Sequence, residues 1–387
     1  MANKKSQESQ GSQILEGSHA IALTIKNINP DVVSAYPITP QTHIVEDLAK
    51  IKANGEADYE YVRAESEFAA ASIVLGASAA GSRVYSATSS QGLLLMTEVI
   101  YNISGLRLPI VMTLANRAIS APINIWNDQQ DAMAIKDAGW IMFFAENNQE
   151  AIEQHVLAYK IAEKMMIPVF VNVDGFILTH CYEPIKIPQK KEIDKFLPKY
   201  KAKKGEFLDP TNPVTIGAFM TPAHYQQSRE DLHIDFTKSI KEIDKEYFLL
   251  QNILNNKIKN KKTNNGLFEY SGPVKPKTII VAMGSVIGTI KSALKNNKQV
   301  GILKIKTYRP FPHQEIYDIM KEAKNIIVLE KALSFGTLGP LYSDLSIFNK
   351  KQKIKNFIAG LGGKDIKEKD IIKITQKFDN YDKLSFI

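Results

Sequence analysis

Between residues 32 and 173 the chain alternates two hydrophobic periods. Short apolar runs rich in β-branched and aromatic residues, at 32–36, 59–62, 83–88, 109–115, 140–144 and 168–173, have the length of strands. Between them, 42–52, 66–80, 92–103, 129–137 and 148–165 carry apolar positions every three or four residues and predict helices, as does an earlier stretch at 18–26 behind Gly17-Ser18. Strands alternating with helices predict a largely parallel sheet covered on both faces, an α/β fold. After Gly175 the pattern changes. Residues 184–204 are rich in Lys and Pro and read as an extended connector, 222–256 as one long helix, and 257–265 as a polar break. A smaller α/β unit follows, with strands expected at 278–283, 300–305, 325–329 and 355–359 and helices at 287–295, 313–321, 338–345 and 365–377.

The stretch 65–80 stands apart. Past Glu65 and Glu67 it has no charge and little bulk, so it reads as a helix enclosed on most sides, with its two carboxylates at the N-terminal end where the macrodipole favours negative charge. Solvated first-turn acids are the plain reading. The position offers another, because in a parallel sheet the strand-to-helix turns emerge on one edge, and ligands bind there. Those turns carry Thr39 within Tyr36-Pro37-Ile38-Thr39-Pro40, then Glu67, then Ser89-Ser90-Gln91-Gly92, then Asn116-Arg117. Two prolines stiffen the first of these loops. Arg117 is the sole charge between Arg107 and Asp128, and the sequence leaves it either a buried pair-maker or an anion clamp.

Composition narrows the possibilities. The 387 residues exceed one ordinary core and carry a net charge of +8, much of it scattered lysine such as Lys257, Lys259, Lys261 and Lys262. No aromatic-interleaved basic stripe accompanies it, so a solvated surface is expected and nucleic acid is not. The single cysteine, Cys181, excludes an internal disulfide, a Cys-rich zinc site and an iron–sulfur cluster held by this chain alone. The Gln/Ser-rich start, 1–16, reads as a disordered tail rather than a signal peptide, no run has membrane-spanning character, and a cytoplasmic location is expected. The seven histidines show no metal-ligand spacing, and no nucleophile motif appears. Gly284 to Gly288 and Gly360 to Gly363 match neither phosphate-binding pattern and read as tight turns, although a nucleotide-binding transferase would use the first of them.

Four segments taken together, 36–42, 65–67, 87–93 and 116–128, closely resemble the 2-oxoacid:ferredoxin oxidoreductases, in particular the alpha subunit of the pyruvate type. The stretches 307–312 and 336–340 extend the likeness over nearly the whole chain. The resemblance implies a thiamine-diphosphate-binding pyrimidine-type domain at 17–183, a connector with a long helix at 184–265, and a smaller transketolase C-terminal-like domain at 266–387. It implies that Glu67 hydrogen-bonds the aminopyrimidine of thiamine diphosphate, that Pro37 and Gln91 also contact the cofactor, and that Arg117 and Thr39 bind the substrate. No Gly-Asp-Gly motif is present, so Mg and the diphosphate are expected on a beta subunit, and the iron–sulfur clusters on partner subunits of a beta, gamma and delta set. The implied reaction converts pyruvate and coenzyme A to acetyl-CoA and CO2, reducing ferredoxin or flavodoxin. Residues 124–128 resemble the pyruvate type more than the branched-chain type, and the intact Thr39 argues against an oxalate-specific relative. A branched-chain 2-oxoacid or 2-oxoglutarate, or a non-catalytic assembly role, are the alternatives.

Overall fold

The computed structural model describes residues 11–347 and 351–387. The first ten residues of the expected tail lie outside the described residues. The chain begins β1 (Gln13–Glu16), α1 (Gly17–Ile28), β2 (Val32–Ala35), α2 (Thr42–Ala53), β3 (Glu60–Arg63), α3 (Glu67–Ala79), β4 (Val84–Thr88), α4 (Ser90–Leu95), α5 (Thr97–Gly105) and β5 (Val111–Asn116). It continues α6 (Gln130–Ala134), β6 (Ile141–Phe144), α7 (Asn148–Met165), β7 (Val169–Asp174), β8 (Tyr182–Ile185), α8 (Lys190–Phe196) and α9 (Pro222–Ile253). The remainder is β9 (Phe268–Ser271), β10 (Thr278–Ala282), α10 (Val286–Ala293), β11 (Val300–Ile305), β12 (Thr307–Arg309), α11 (His313–Met320), β13 (Asn325–Glu330), α12 (Pro340–Ser346), β14 (Lys353–Ile358), α13 (Glu368–Gln376) and β15 (Leu384–Phe386).

The first sheet has seven strands in the order β12-β6-β7-β5-β4-β2-β3, parallel except for β12. Its central strands β4, β5 and β7 are buried at every residue, which is why they read as nearly unbroken apolar runs. At the edge, β3 exposes Glu60 and Arg63, charges that discourage pairing with another chain. The second sheet, β15-β14-β13-β10-β11-β9, is parallel except for β9.

Alternation along its strands decides how the two sheets combine. Ile279 and Val281 of β10 join the large core that also contains the first sheet, whereas Ile280 and Ala282 face a smaller cluster with Ile287 and Ile290 of α10 and Ile371 and Ile374 of α13. α9 lies along α7 and buries Leu232, Ile243 and Leu250, a stripe at helical spacing.

The helix expected at 92–103 is two, α4 and α5, and the connector expected at 184–204 contains α8. Three further expectations change. Residues 13–16, read as part of the tail, form β1, paired antiparallel with β8 from Gln13 opposite Ile185 to Glu16 opposite Tyr182. That partner lies far along the chain, so a local polar composition could not announce it. Thr307–Arg309, read with the second unit, instead closes the edge of the first sheet, with Thr307 opposite Phe143. Finally, α3 is not enclosed on most sides. Ala70, Ala71 and Val74 are buried, but Phe68 and Gly76 are exposed, so one face of an almost uncharged helix is open in the chain alone. No described helix is long and apolar enough to cross a membrane.

Candidate active site

The carboxyl ends of β2, β4, β5 and β7 converge, and a few buried side chains fasten their loops to one another. After β2 the buried Gln41 donates from Nε2 to the Ala87 carbonyl of β4 at 2.7 Å and accepts from the Ile38 N–H at 3.2 Å. The loop is therefore pinned to the sheet while Thr39 remains exposed at its tip and Pro37 at its start.

Glu67 is the first residue of α3, behind Ser66, whose hydroxyl accepts from the Ala69 N–H at 3.1 Å and caps the helix. The residue is only 8% exposed, yet among the described residues no donor meets its carboxylate. Gly92 makes room for it. A Cβ there would lie 2.8 Å from the Glu67 Cγ and Oε1 and 2.6 Å from the Thr88 Oγ1. That Thr88 hydroxyl is itself buried without a partner among the described residues. A buried polar atom left unpartnered is costly on folding, so the Thr88 hydroxyl beside Glu67 makes this recess a candidate place for a ligand's hydrogen bonds.

Arg117 follows β5. Its Nε donates to the Asn124 carbonyl and its Nη1 to the Thr39 carbonyl, each at 3.0 Å, which joins two of the expected site residues through one guanidinium. No carboxylate pairs with that guanidinium among the described residues, so the pair-maker reading finds no acid. Burial lowers its pKa and Asp131 opposes that shift, leaving a held positive charge with capacity for an anion. Gln91 is half-buried and already engaged, accepting from the Ser90 hydroxyl at 2.7 Å and donating to the Ser120 carbonyl at 3.4 Å.

Asp131 was not among the expected site residues. Fully buried, it accepts from the Ser90 and Arg117 N–H groups through Oδ2, and from Asn116 Nδ2 and the Ala132 N–H through Oδ1. Burial pushes its pKa up to about 7, against the pull of the hydrogen bonds. It fastens the turns after β4 and β5 together.

The second unit presses on the loop that follows Arg117. Asn124 Nδ2 donates to the Gly362 carbonyl, and Asp128 accepts from the Gly362 N–H, both at 3.0 Å. A Cβ on Gly362 would sit 2.5 Å from Asn124 Nδ2, and one on Gly363 would sit 2.4 Å from Trp126 Cβ, with φ of +57° and +83°. The glycines there serve close docking of a loop, in keeping with tight turns. Beneath them Lys331 Nζ donates to Asn127 Oδ1 and Asp174 Oδ2 at 2.8 Å. Burial alone would raise the Asp174 pKa, but Lys331 and Ser285 hold it below its ordinary value. Trp126, Asn127, Phe176, Ser285 and Lys331 line a cleft of about 540 Å³ between the units.

Chemically, the rim offers an unpaired acceptor in a recess that Gly92 clears, a fixed cation and an exposed hydroxyl. Comparison with known proteins gives the family. Residues 24–248 match the family described as pyruvate flavodoxin/ferredoxin oxidoreductase, thiamine diP-binding, and residues 277–371 match pyruvate:ferredoxin oxidoreductase core domain II. The pyruvate synthase subunit PorA of Methanocaldococcus jannaschii is 44% identical over 369 residues, covering 93% of this chain and 92% of that one. PorA of Pyrococcus furiosus is 41% identical over 367 residues, 92% and 90% of the two chains. The ketoisovalerate oxidoreductase subunit VorA of Pyrococcus abyssi is 38% identical over 376 residues, 94% and 92%. A solved 2-oxoglutarate:ferredoxin oxidoreductase from Magnetococcus marinus, with 2-oxoglutarate, coenzyme A and succinyl-CoA bound, shares the fold with a TM-score of 0.72 at 22% identity, over 96% of this chain and 66% of that one. With a sheet-edge recess and both family regions in sequence order, the chain belongs to the pyruvate flavodoxin/ferredoxin oxidoreductase family and carries its thiamine-diphosphate-binding domain followed by its core domain II.

Proposed function

We propose that this chain is the alpha subunit of a thiamine-dependent pyruvate:ferredoxin oxidoreductase, and that it furnishes half of the active site. The observation that carries the reading is the unpartnered carboxylate of Glu67, a residue only 8% exposed, in the space that Gly92 clears. That acceptor fits the protonated ring nitrogen of an aminopyrimidine. Thiamine diphosphate, when bound, supplies the nucleophilic carbon that adds to a 2-oxoacid and takes up the electron pair left when CO2 departs.

The residues of this chain hold and orient. Glu67 accepts the ring N–H and so governs where the pyrimidine's protons reside, a task that needs a carboxylate in an apolar recess. Arg117, steadied by the carbonyls of Thr39 and Asn124, clamps the substrate carboxylate. The Thr39 hydroxyl donates to the substrate oxygen where negative charge develops. Pro37 and Gln91 border the cofactor, the latter chiefly by fixing the loop at Ser120.

The beta subunit would bring Mg and hold the diphosphate, and partner subunits would bring the iron–sulfur clusters, consistent with a single cysteine here. Ferredoxin or flavodoxin would accept the electrons and coenzyme A the acyl group, in the cytoplasm. Pyruvate is favoured because the PorA relatives reach 44% identity against 38% for VorA. The test is to purify the complex anaerobically and assay pyruvate, 2-oxoisovalerate and 2-oxoglutarate with coenzyme A and a low-potential acceptor. Pyruvate should give the highest kcat/KM, and a preference for 2-oxoisovalerate would reassign the substrate. Unchanged activity after Glu67→Ala would instead support an assembly role.

A further inference from the structure

The seven histidines have no metal-ligand spacing along the chain, but the fold assembles two of them with a carboxylate from a third segment. Glu16 ends β1, His43 lies in the first turn of α2, and His180 closes the turn after β7. The ligand-bearing atoms of all three lie within 4.8 Å of one another. His43 Nδ1 is 2.6 Å from Glu16 Oε1, and the two imidazole rings stand 4.6 Å apart.

The backbone around these residues is fixed rather than loose. Gly17 N donates to the Cys181 carbonyl at 3.1 Å, and both the N–H and the hydroxyl of Ser18 donate to the Thr179 carbonyl, at 3.0 and 2.8 Å. Glu16 and Tyr182 face each other across the β1–β8 pair. His180 Nδ1 meets the Thr179 hydroxyl at 2.7 Å, and that hydroxyl also accepts from the Phe176 N–H. This outer hydrogen bond orients the ring and leaves Nε2 as its unengaged nitrogen, an arrangement typical of ligating histidines.

From this geometry we infer a binding site for one divalent transition-metal cation of the zinc class, with Glu16, His43 and His180 as protein ligands and water in the remaining position. Two nitrogens and one carboxylate oxygen suit Zn²⁺ and its first-row neighbours rather than Mg²⁺ or Ca²⁺, which prefer oxygen alone. Tetrahedral ligands on zinc lie about 3.4 Å apart, given bonds of about 2.1 Å, so rotation of the side-chain tips would open the 2.6 Å His43–Glu16 contact and close the wider separations, which are no more than 4.8 Å. Those tips have room, since the His43 side chain is 48% exposed.

Such a cation would tie the start of α2 to the turn after β7. Thr39 lies four residues before His43. On the other side Phe176 packs between His180 at 4.8 Å and Trp126 at 4.6 Å, and Trp126 belongs to the loop that holds Arg117. The site is thus a structural clamp on two of the loops that form the rim.

The test uses the untagged full-length chain, stripped with a chelator and titrated with Zn²⁺ alone by calorimetry and with Co²⁺ as a spectroscopic probe. One equivalent should bind saturably, with cobalt d–d bands of a four-coordinate nitrogen and oxygen site that Zn²⁺ displaces. His43→Gln and His180→Gln should each weaken Zn²⁺ by about tenfold or more and abolish those bands, and Glu16→Gln should weaken binding. His224→Gln, at an exposed position on α9, should change nothing. Because His43 is exposed, its variant should retain the circular dichroism of the parent. Absence of saturable binding, or binding that survives His43→Gln and His180→Gln together, would overturn the inference.

Discussion

At Glu67 a residue only 8% exposed carries a carboxylate that no donor within the described chain satisfies. The positive end of α3 favours its charge, and an amide would keep the same shape. Glu67→Gln should therefore leave thermal stability nearly unchanged while lowering kcat of the assembled enzyme by about 10²-fold or more, because an amide cannot take the carboxylate's part in proton placement. Gly92→Ala tests the same recess by steric means. Within a helix alanine gains about 1 kcal/mol over glycine, whereas overpacking costs about 1–3 kcal/mol, so stability should fall only slightly. Turnover should fall sharply, since the new methyl occupies the position beside Glu67 and Thr88. Parallel melting and steady-state assays separate the two effects. At Arg117 a lysine keeps the charge but loses the fork that binds Thr39 and Asn124. Arg117→Lys should raise KM for the oxoacid by about tenfold, and an unchanged KM would remove Arg117 from substrate binding.

α3 shows why an element cannot be judged from one chain alone. It is nearly apolar all round, the pattern of a helix buried on every side, but here Phe68 remains 40% exposed. Leu94 and Leu95 of α4 and Tyr101 of α5 are also exposed, at 37%, 51% and 43%. α3 packs against both α4 and α5, so exposed apolar side chains stand on three connected helices. The proposed beta subunit is the occupant suited to them, since a helix whose N-terminus carries the proposed cofactor contact would lie near the chain proposed to hold the diphosphate. Phe68→Asp should leave the melting temperature of the isolated chain within a few degrees of the parent and abolish co-purification with the partner subunits. Size-exclusion chromatography of the co-expressed set reads that outcome directly.

Across the whole molecule, the two sheets are locked by charge as well as by apolar packing. Lys304, 4% exposed, contacts Glu146 at 2.8 Å, Glu269 at 2.9 Å and Glu150 at 3.1 Å, so carboxylates from both units share one ammonium. Burial opposes the charge on Lys304, but these three acids hold its pKa well above the ordinary range. Burial would likewise raise Glu269, yet Lys304 and Lys291 bring it down to about 2. A carboxylate depressed in the folded state stabilises the fold above its unfolded pKa near 4.5, and the contribution fades as pH falls from there towards 2. The acid limb of a stability-against-pH curve should therefore be shallower in Glu269→Gln by about one proton at most. Denaturant titrations between those pH values measure the slope, and an unchanged slope would show that Glu269 is not linked to folding.

Much of the molecule could be read from one dimension because strand and helix periods are imposed by covalent neighbours. The parallel runs, the sheet edge and the candidacy of Thr39, Glu67 and Arg117 all follow from residues a few positions apart, together with the rule that βα turns share one edge. Other features depend on contacts between distant segments. β12 crosses to the first sheet, Asp131 joins turns that lie 41 and 14 residues before it, and Asn124 meets Gly362 across 238. The same holds for Glu16, His43 and His180, whose spacing in the chain is irregular and whose proximity exists only once β1, α2 and the turn after β7 have packed. Local chemistry set which elements form and which side chains reach the rim; three-dimensional packing alone chose the partners of each side chain, because long-range neighbours are fixed by burial and loop closure rather than by sequence separation.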